Sequence, residues 1–154
     1  VPFGPKPSGC SKFEILVARG TSEPGLFGVI AGDPLVKDVI AAILETRGYA
    51  YPATLSAESV AIGVKDVVTR LEEQIKACPD QKYSLVGYSQ GARVMRSAAV
   101  KIPTPSYPKL LALVMFRDRG IRDMNITQFP AELQAKLFEN CAPRDPVGYH
   151  GGAG

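Results

Sequence analysis

The fold of this chain is decided by the octapeptide Leu85-Val86-Gly87-Tyr88-Ser89-Gln90-Gly91-Ala92. Its first residues are apolar and predict a buried strand, which ends at a serine that has a glycine two positions away on either side. This Gly-x-Ser-x-Gly pattern is typical of a nucleophile elbow, a sharp turn from strand to helix that carries the serine at its tip. The pentapeptide arises by chance in roughly one chain in ten of this length. The rest of the sequence therefore has to decide whether Ser89 is a nucleophile.

Length and composition indicate one domain. The chain has 154 residues, of which 45% are hydrophobic, and we expect residues 1–154 to share a single core. The net charge is +3 and the basic residues are scattered, which argues against a nucleic-acid partner. The one local excess comprises Lys109, Arg117, Arg119 and Arg122, and it fits a solvated surface loop better than an anion site. No apolar run is long enough to predict a membrane span.

The hydrophobic pattern predicts strands that alternate with helices. Strands are expected at residues 13–18, 49–55, 83–87, 110–116 and 136–139, and helices at 33–48, 59–77 and 90–102. Asp33 is expected to cap the first helix and Gly48 to end it, and Pro52 places the second strand near an edge. Such alternation predicts a three-layer α/β/α fold with a five-stranded parallel sheet in the order 2-1-3-4-5. Ligands bind at the carboxyl edge of such sheets, where Ser89 is expected to lie.

The cysteines favour a disulfide over a metal site. Cys10 and Cys78 each precede one of two adjacent parallel strands, so both are expected at the amino edge of the sheet, where they can pair. Cys141 follows the last strand and is expected at the opposite edge. The spacing matches no zinc motif, so no metal is predicted. Asn125-Ile126-Thr127 is a glycosylation sequon, which makes Asn125 a candidate acceptor in a secreted protein.

A serine nucleophile needs a histidine base and a carboxylate, which follow it in the order Ser, Asp, His in elbow folds. Asp145 and His150 follow Ser89 in this order, and His150 is the only histidine. An ordinary loop aspartate and a terminal tail explain these two residues equally well. The backbone N–H groups of Gln90 and Thr21 are expected to stabilise the oxyanion. A phosphate cradle in the loop that holds Thr21 is the weaker interpretation, because the loop lacks the Gly-Lys-Ser/Thr ending.

Four motifs together resemble the cutinase family of secreted fungal and actinobacterial serine esterases. They are Ala18-Arg19-Gly20-Thr21-Ser22-Glu23, Ala77-Cys78-Pro79, Gly87-Tyr88-Ser89-Gln90-Gly91-Ala92 and Cys141-Ala142-Pro143-Arg144-Asp145-Pro146-Val147. The resemblance implies a minimal α/β-hydrolase in which Ser89 is the nucleophile, Asp145 the orienting acid, and Thr21 with Gln90 the oxyanion hole. It further implies a secreted monomer that needs no cofactor. Its substrates would be short to medium acyl esters and polyesters such as cutin, which it would cleave through an acyl-enzyme.

The chain departs from the family pattern in four places. Arg144-Asp145 stands where the family usually has Gly-Asp, and Gly148 replaces the cysteine expected to pair with Cys141. Phe116-Arg117-Asp118-Arg119-Gly120 differs from the common Phe-Gly-Asp-Pro-Gly, and the family histidine lies further beyond the aspartate than His150 does. His150 is therefore assigned as a substitute base, and the domain is expected to lack its C-terminal segment.

Two other functions stay open beside that of a cutinase-like esterase. An acetylxylan esterase, acting on acetylated polysaccharide, shares the elbow and the aspartate loop. A catalytically inactive relative would bind lipid or polysaccharide through the same cleft.

Overall fold

Strands and helices alternate along the chain. The structure, a computed structural model, describes residues 7–43, 46–50, 58–121, 123 and 125–141. The elements in these ranges are β1 (Phe13–Ala18), α1 (Gly32–Ala42), β2 (Thr46–Ala50), α2 (Ser59–Ala77), β3 (Lys82–Tyr88), α3 (Gln90–Ala99), β4 (Leu110–Phe116), α4 (Ala131–Gln134) and β5 (Leu137–Asn140), with 3-10 turns at Thr104–Lys109 and Arg119–Ile121. The strands form a parallel sheet in the order β2-β1-β3-β4-β5. The predicted α/β fold with a parallel sheet is confirmed.

Helices cover both faces of the sheet. Because successive side chains of a strand point to opposite faces, each strand contributes to a core on either side. In β1, Ile15 and Val17 pack with Val36 of α1 on one face. Leu16 and Ala18 belong to the larger core on the other face, which contains the apolar sides of α2 and α3. All five of these side chains are at most 3% exposed.

The register of the central strands brings their carboxyl ends to one edge. Ala18 at the end of β1 is paired with Gly87 of β3, which is paired in turn with Met115 of β4. Phe116, the last residue of β4, is paired with Asn140, the last residue of β5. The segments that leave β1, β3 and β4 therefore begin side by side, and the candidate site is built from them.

The opposite edge is held by a disulfide and a buried ion pair. Cys10 and Cys78 are bonded, with their Cα atoms 5.6 Å apart, as the sequence predicts. Nearby, Arg70 donates from Nε to Glu14 at 2.9 Å, and Gln81 donates from Nε2 to the same carboxylate at 2.7 Å. Because this buried carboxylate has several donors, its burial does not leave a charge uncompensated.

The first crossover differs from the prediction. Helix α1 ends at Ala42, and Gly48, expected to end that helix, lies inside β2, whose partner is β1. A methyl group at Gly48 would come within 2.5 Å of the Phe27 ring, so the ring packs directly on the backbone of Gly48 and a larger residue there would displace it. The predicted cap is also wrong, because Asp33 lies within the first turn and accepts a hydrogen bond from the N–H of Phe27 at 2.9 Å.

The second strand and the helix after the elbow have other bounds than expected. β2 covers Thr46–Ala50, whereas the prediction began at residue 49, and residues 51–55 lie outside the described part of the chain. It does lie at an edge of the sheet, as Pro52 indicated. Helix α3 ends at Ala99, three residues before its predicted end, because the chain tightens there and the N–H of Ile102 bonds to the carbonyl of Ala99.

Candidate active site

Ser89 occupies a strained turn between β3 and α3. Its φ is +55° and its ψ is −112°, a left-handed conformation that a residue with a side chain rarely adopts. The turn is held from both sides, since the N–H of Ser89 donates to the carbonyl of Phe116 at 3.0 Å and the carbonyl of Ser89 accepts from Ala92 at 3.0 Å. The half-buried Ser89 side chain stands at the carboxyl edge of the sheet, where the sequence predicts the nucleophile.

The two glycines of the elbow are required by close approach rather than by backbone freedom. A methyl group at Gly91 would overlap the carbonyl oxygen of Ala18 in β1. One at Gly87 would lie 2.6 Å from the Cα atom of Ala92. The start of α3 therefore packs directly on β1 and β3, which positions Ser89 next to the loop that follows β1.

That loop is organised by Glu23, whose side chain is 5% exposed. One carboxylate oxygen accepts the N–H of Gly20 at 2.9 Å, and the other accepts the N–H of Ile30 at 2.7 Å. The Arg19 side chain donates to the carbonyl of Gly25 at 2.5 Å and braces the same loop. Sequence reasoning assigned no role to Glu23. Its signal is an acidic residue three positions after a loop glycine, close enough to accept backbone hydrogen bonds.

Thr21 lies in the turn between Gly20 and Glu23 and is exposed. The loop comes close to the elbow here, since a methyl group at Gly20 would lie 2.7 Å from the Tyr88 ring, next to Ser89. Thr21 thus lies on the loop that adjoins the elbow, and its part in an oxyanion hole stays a prediction.

Gln90 is the first residue of α3, at the positive end of the helix dipole. Its side-chain oxygen accepts a hydrogen bond from Ser59 Oγ at 3.2 Å, and Ser59 is the first residue of α2 and 3% exposed. Sequence reasoning missed this contact. It fixes the Gln90 side chain against α2, while the backbone N–H of Gln90 belongs to the helix turn whose donors lack intrahelical acceptors.

A cleft of about 270 Å³ opens in front of the elbow. Its lining residues are Val60, Ser89, Gln90, Arg93, Asp118, Arg119, Gly120 and Ile126. Another cavity, of about 210 Å³, lies between α2 and the segment after α3, but aliphatic side chains dominate it and it holds no arrangement resembling the elbow. The cleft at Ser89 is therefore the better candidate for substrate.

A buried arginine holds the far wall of this cleft. Arg96 of α3 is 2% exposed, and its Nε atom donates to Asp118 at 2.8 Å. Its terminal nitrogens donate to Gln128 at 3.0 Å and to Glu139 at 2.7 Å, and its guanidinium lies 4.8 Å from the centre of the Phe129 ring. These contacts tie α3 to β5 and to the segments between them.

Glu139 is the residue of this network whose protonation is perturbed. The pKa of Glu139 is raised to about 7, chiefly because the group is partly buried and also because of the negative charge of Asp118, while the positive charge of Arg96 opposes both effects. Asp118 itself is 1% exposed and also accepts the N–H of Gly120 at 2.8 Å. A methyl group at Gly120 would overlap the Arg96 side chain, so glycine is required at this point of the cleft wall.

Several predicted residues cannot be placed. Asp145 and His150 lie outside the described residues, as do Arg144 and Gly148. Asn125 is described and exposed, with its N–H bonded to the Asp123 side chain at 3.0 Å.

Within the described ranges, His, Cys, Asp and Glu form no group of three that could hold a metal ion. The helices of those ranges include none with the length and apolar character needed to cross a bilayer.

The strained serine between a parallel strand and a helix, beside a cleft, defines an α/β protein with a nucleophile elbow. The model of the cutinase family matches residues 9–153, and the chain belongs to this family. "Cutinase 4" of Emericella nidulans is 34% identical over an alignment of 152 residues that covers 94% of this chain and 63% of that protein. A cutinase of Hypocrea jecorina is 33% identical over 71% of this chain and 46% of its own length. The chain thus spans between about half and two thirds of these relatives.

Solved structures agree with the fold. A Trichoderma reesei cutinase in complex with a phosphonate inhibitor has a TM-score of 0.72 and 28% identity, over 90% of this chain and 64% of that one. A cutinase-like protein from Cryptococcus sp. has a TM-score of 0.78 at 22% identity, over 92% of this chain and 80% of that chain. An acetylxylan esterase has a TM-score of 0.74 at 24% identity, over 91% and 86% of the two chains. At these identities, the last two show the fold alone.

Proposed function

We propose that this chain is the catalytic domain of a secreted serine esterase with a minimal α/β-hydrolase fold. The observation that carries the proposal is the left-handed backbone of Ser89 at the mouth of a cleft. A strained conformation of this kind persists only where the surrounding structure enforces it, and such strain concentrates at functional sites. Membership of the cutinase family supports the same chemistry.

The reaction would proceed through an acyl-enzyme. Ser89 Oγ attacks the ester carbonyl while its proton passes to a histidine, and the alcohol leaves with that proton. Water then attacks the acyl carbonyl and gives one proton to the histidine, which returns it to Ser89 Oγ as the carboxylic acid leaves. The negative charge on the carbonyl oxygen would be stabilised by the N–H groups of Gln90 and Thr21, on rigid supports provided by α3 and the Glu23-braced loop. Asp145 would orient the base, and His150 is the histidine that this sequence offers for it.

Secretion belongs to the proposal. The Cys10–Cys78 disulfide is typical of proteins that fold in an oxidising compartment. Short to medium acyl esters and polyesters of the cutin type are the substrates proposed, by analogy with relatives that are named cutinases.

Hydrolysis of p-nitrophenyl butyrate by wild-type protein and by Ser89→Ala tests the proposal. We expect the variant to lose at least about 10³-fold in kcat, since only the oxyanion hole and binding remain. Ser97→Ala, which removes a half-buried serine of the same helix, is the matched control and should retain full activity. Equal rates for Ser89→Ala and wild type would overturn the assignment of the nucleophile. No hydrolysis by wild type would favour the inactive relative.

Two further substrates and one variant separate the remaining alternatives. Faster release of acetate from acetylated xylan than of hydroxy acids from a cutin-like polyester would assign an acetylxylan esterase. His150→Ala should match the loss caused by Ser89→Ala if His150 is the base. Full activity in His150→Ala would show that the base is another group.

A further inference from the structure

Two arginine side chains line the cleft beside Ser89. Arg93 lies one helical turn after the nucleophile, and its backbone N–H donates to the carbonyl of Ser89 at 3.4 Å. Arg119 belongs to the 3-10 turn Arg119–Ile121, lines the same cleft and has a side chain that is 70% exposed. The cleft therefore presents positive charge from two different elements, and the proposed nucleophile Ser89 lines the same cleft.

The acidic groups around the cleft compensate this charge only in part. Asp118 also lines the cleft, but its buried carboxylate is paired with Arg96, whose Nη2 lies 2.6 Å away. Asp123 lies 3.6 Å from Arg119 in a solvent-exposed pair, which weakens that charge without neutralising it. Within the described part of the chain, no carboxylate forms an ion pair with Arg93.

We propose that Arg93 and Arg119 form an anion subsite that favours esters with a carboxylate near the scissile bond. The planar guanidinium keeps its charge at every working pH and matches the two oxygens of a carboxylate. Half-esters of dicarboxylic acids, and polyester fragments that end in a free acid, have this chemistry. The inference rests on the proposed function, because it takes Ser89 as the point of attack.

The test compares two esters of equal chain length, mono-p-nitrophenyl adipate and p-nitrophenyl hexanoate, which have a carboxylate and a methyl group respectively at the far end. The measured quantity is the ratio of their kcat/KM values at low ionic strength. We expect this ratio to fall about threefold in Arg93→Gln and in Arg119→Gln, and about tenfold in the double variant, since exposed ion pairs are individually weak. Added salt should lower the wild-type ratio as well.

Lys101→Gln is the matched control, because it removes an exposed positive charge just beyond the other end of α3. Its ratio should equal that of the wild type. An unchanged ratio in the double arginine variant would overturn the anion subsite, even if both esters are hydrolysed rapidly.

A binding measurement separates this inference from the proposed function. If wild type hydrolyses neither ester, the esterase proposal fails, but the subsite can still be tested with monomethyl adipate. Titration of Ser89→Ala with this half-ester, followed by NMR, should give a dissociation constant that rises about tenfold when both arginines are replaced. Equal affinity with and without the arginines would overturn the subsite by itself.

Discussion

Replacement of Glu139 by glutamine should stabilise this protein at alkaline pH and have little effect at acidic pH. The Glu139 side chain is 21% exposed and shares the Arg96 guanidinium with Asp118. Two carboxylates around one arginine leave an excess negative charge in a partly buried place. Burial and the charge of Asp118 accordingly raise the pKa of Glu139 to about 7 from an ordinary value of 4.5.

The sign of the pH dependence follows from proton uptake. Between about pH 4.5 and pH 7 the native protein holds a proton on Glu139 that the unfolded chain has lost, so the free energy of unfolding falls as the pH rises through this range. A shift of this size corresponds to about 3 kcal/mol at ~1.4 kcal/mol per pKa unit. Since the side chain remains partly exposed to solvent, we expect the realised effect to be about 1–2 kcal/mol.

Glutamine has the shape of the protonated acid. Its amide can donate to Asp118 and its oxygen can still accept from Arg96, so Glu139→Gln should be about 1–2 kcal/mol more stable than wild type at pH 8 and within about 0.5 kcal/mol of it at pH 5. Urea unfolding at both pH values, followed by circular dichroism, measures this difference.

Glu132→Gln in α4, an exposed residue, serves as the control and should change stability at neither pH. A Glu139→Gln variant that is less stable than wild type at pH 8 would refute the reasoning. It would show that ionised Glu139 is a favourable partner of Arg96 rather than an excess charge.

Three other changes test the elbow and its supports. Glu23→Gln should lower kcat/KM for ester hydrolysis about tenfold or more, because the variant loses a carboxylate that accepts two loop N–H groups. An unchanged kcat/KM would show that Glu23 does not support the site. Gly91→Ala should cost about 3 kcal/mol in urea unfolding, because its methyl group overlaps the carbonyl of Ala18, and wild-type stability would contradict that packing. Joint replacement of Cys10 and Cys78 by serine should lower the free energy of unfolding by about 4 kcal/mol in the same measurement. An unfolding midpoint in urea equal to that of wild type would show that closing the 68-residue span does not stabilise the protein.

The regular elements that could be predicted are those with strong local signals. The bounds of α2, β1 and β4 coincide with their predictions, because an apolar stripe or a continuous apolar run specifies them and charged or proline residues delimit them. The first crossover differs from its prediction for the opposite reason. Gly48 resembles a helix terminator in the sequence, yet it serves as a contact point for Phe27 from a distant loop.

The candidate site likewise combines features that the sequence predicts with contacts that only the folded chain creates. By itself, the sequence determined the elbow at Ser89, the parallel α/β class, the Cys10–Cys78 pairing and the family, because each depends on residue types at short or characteristic spacings. Only the tertiary structure decided that Glu23 braces the loop after β1 and that Arg96 joins Asp118 to Glu139. These contacts connect residues from separate elements, and their geometry depends on how helices and strands pack, which no local pattern encodes.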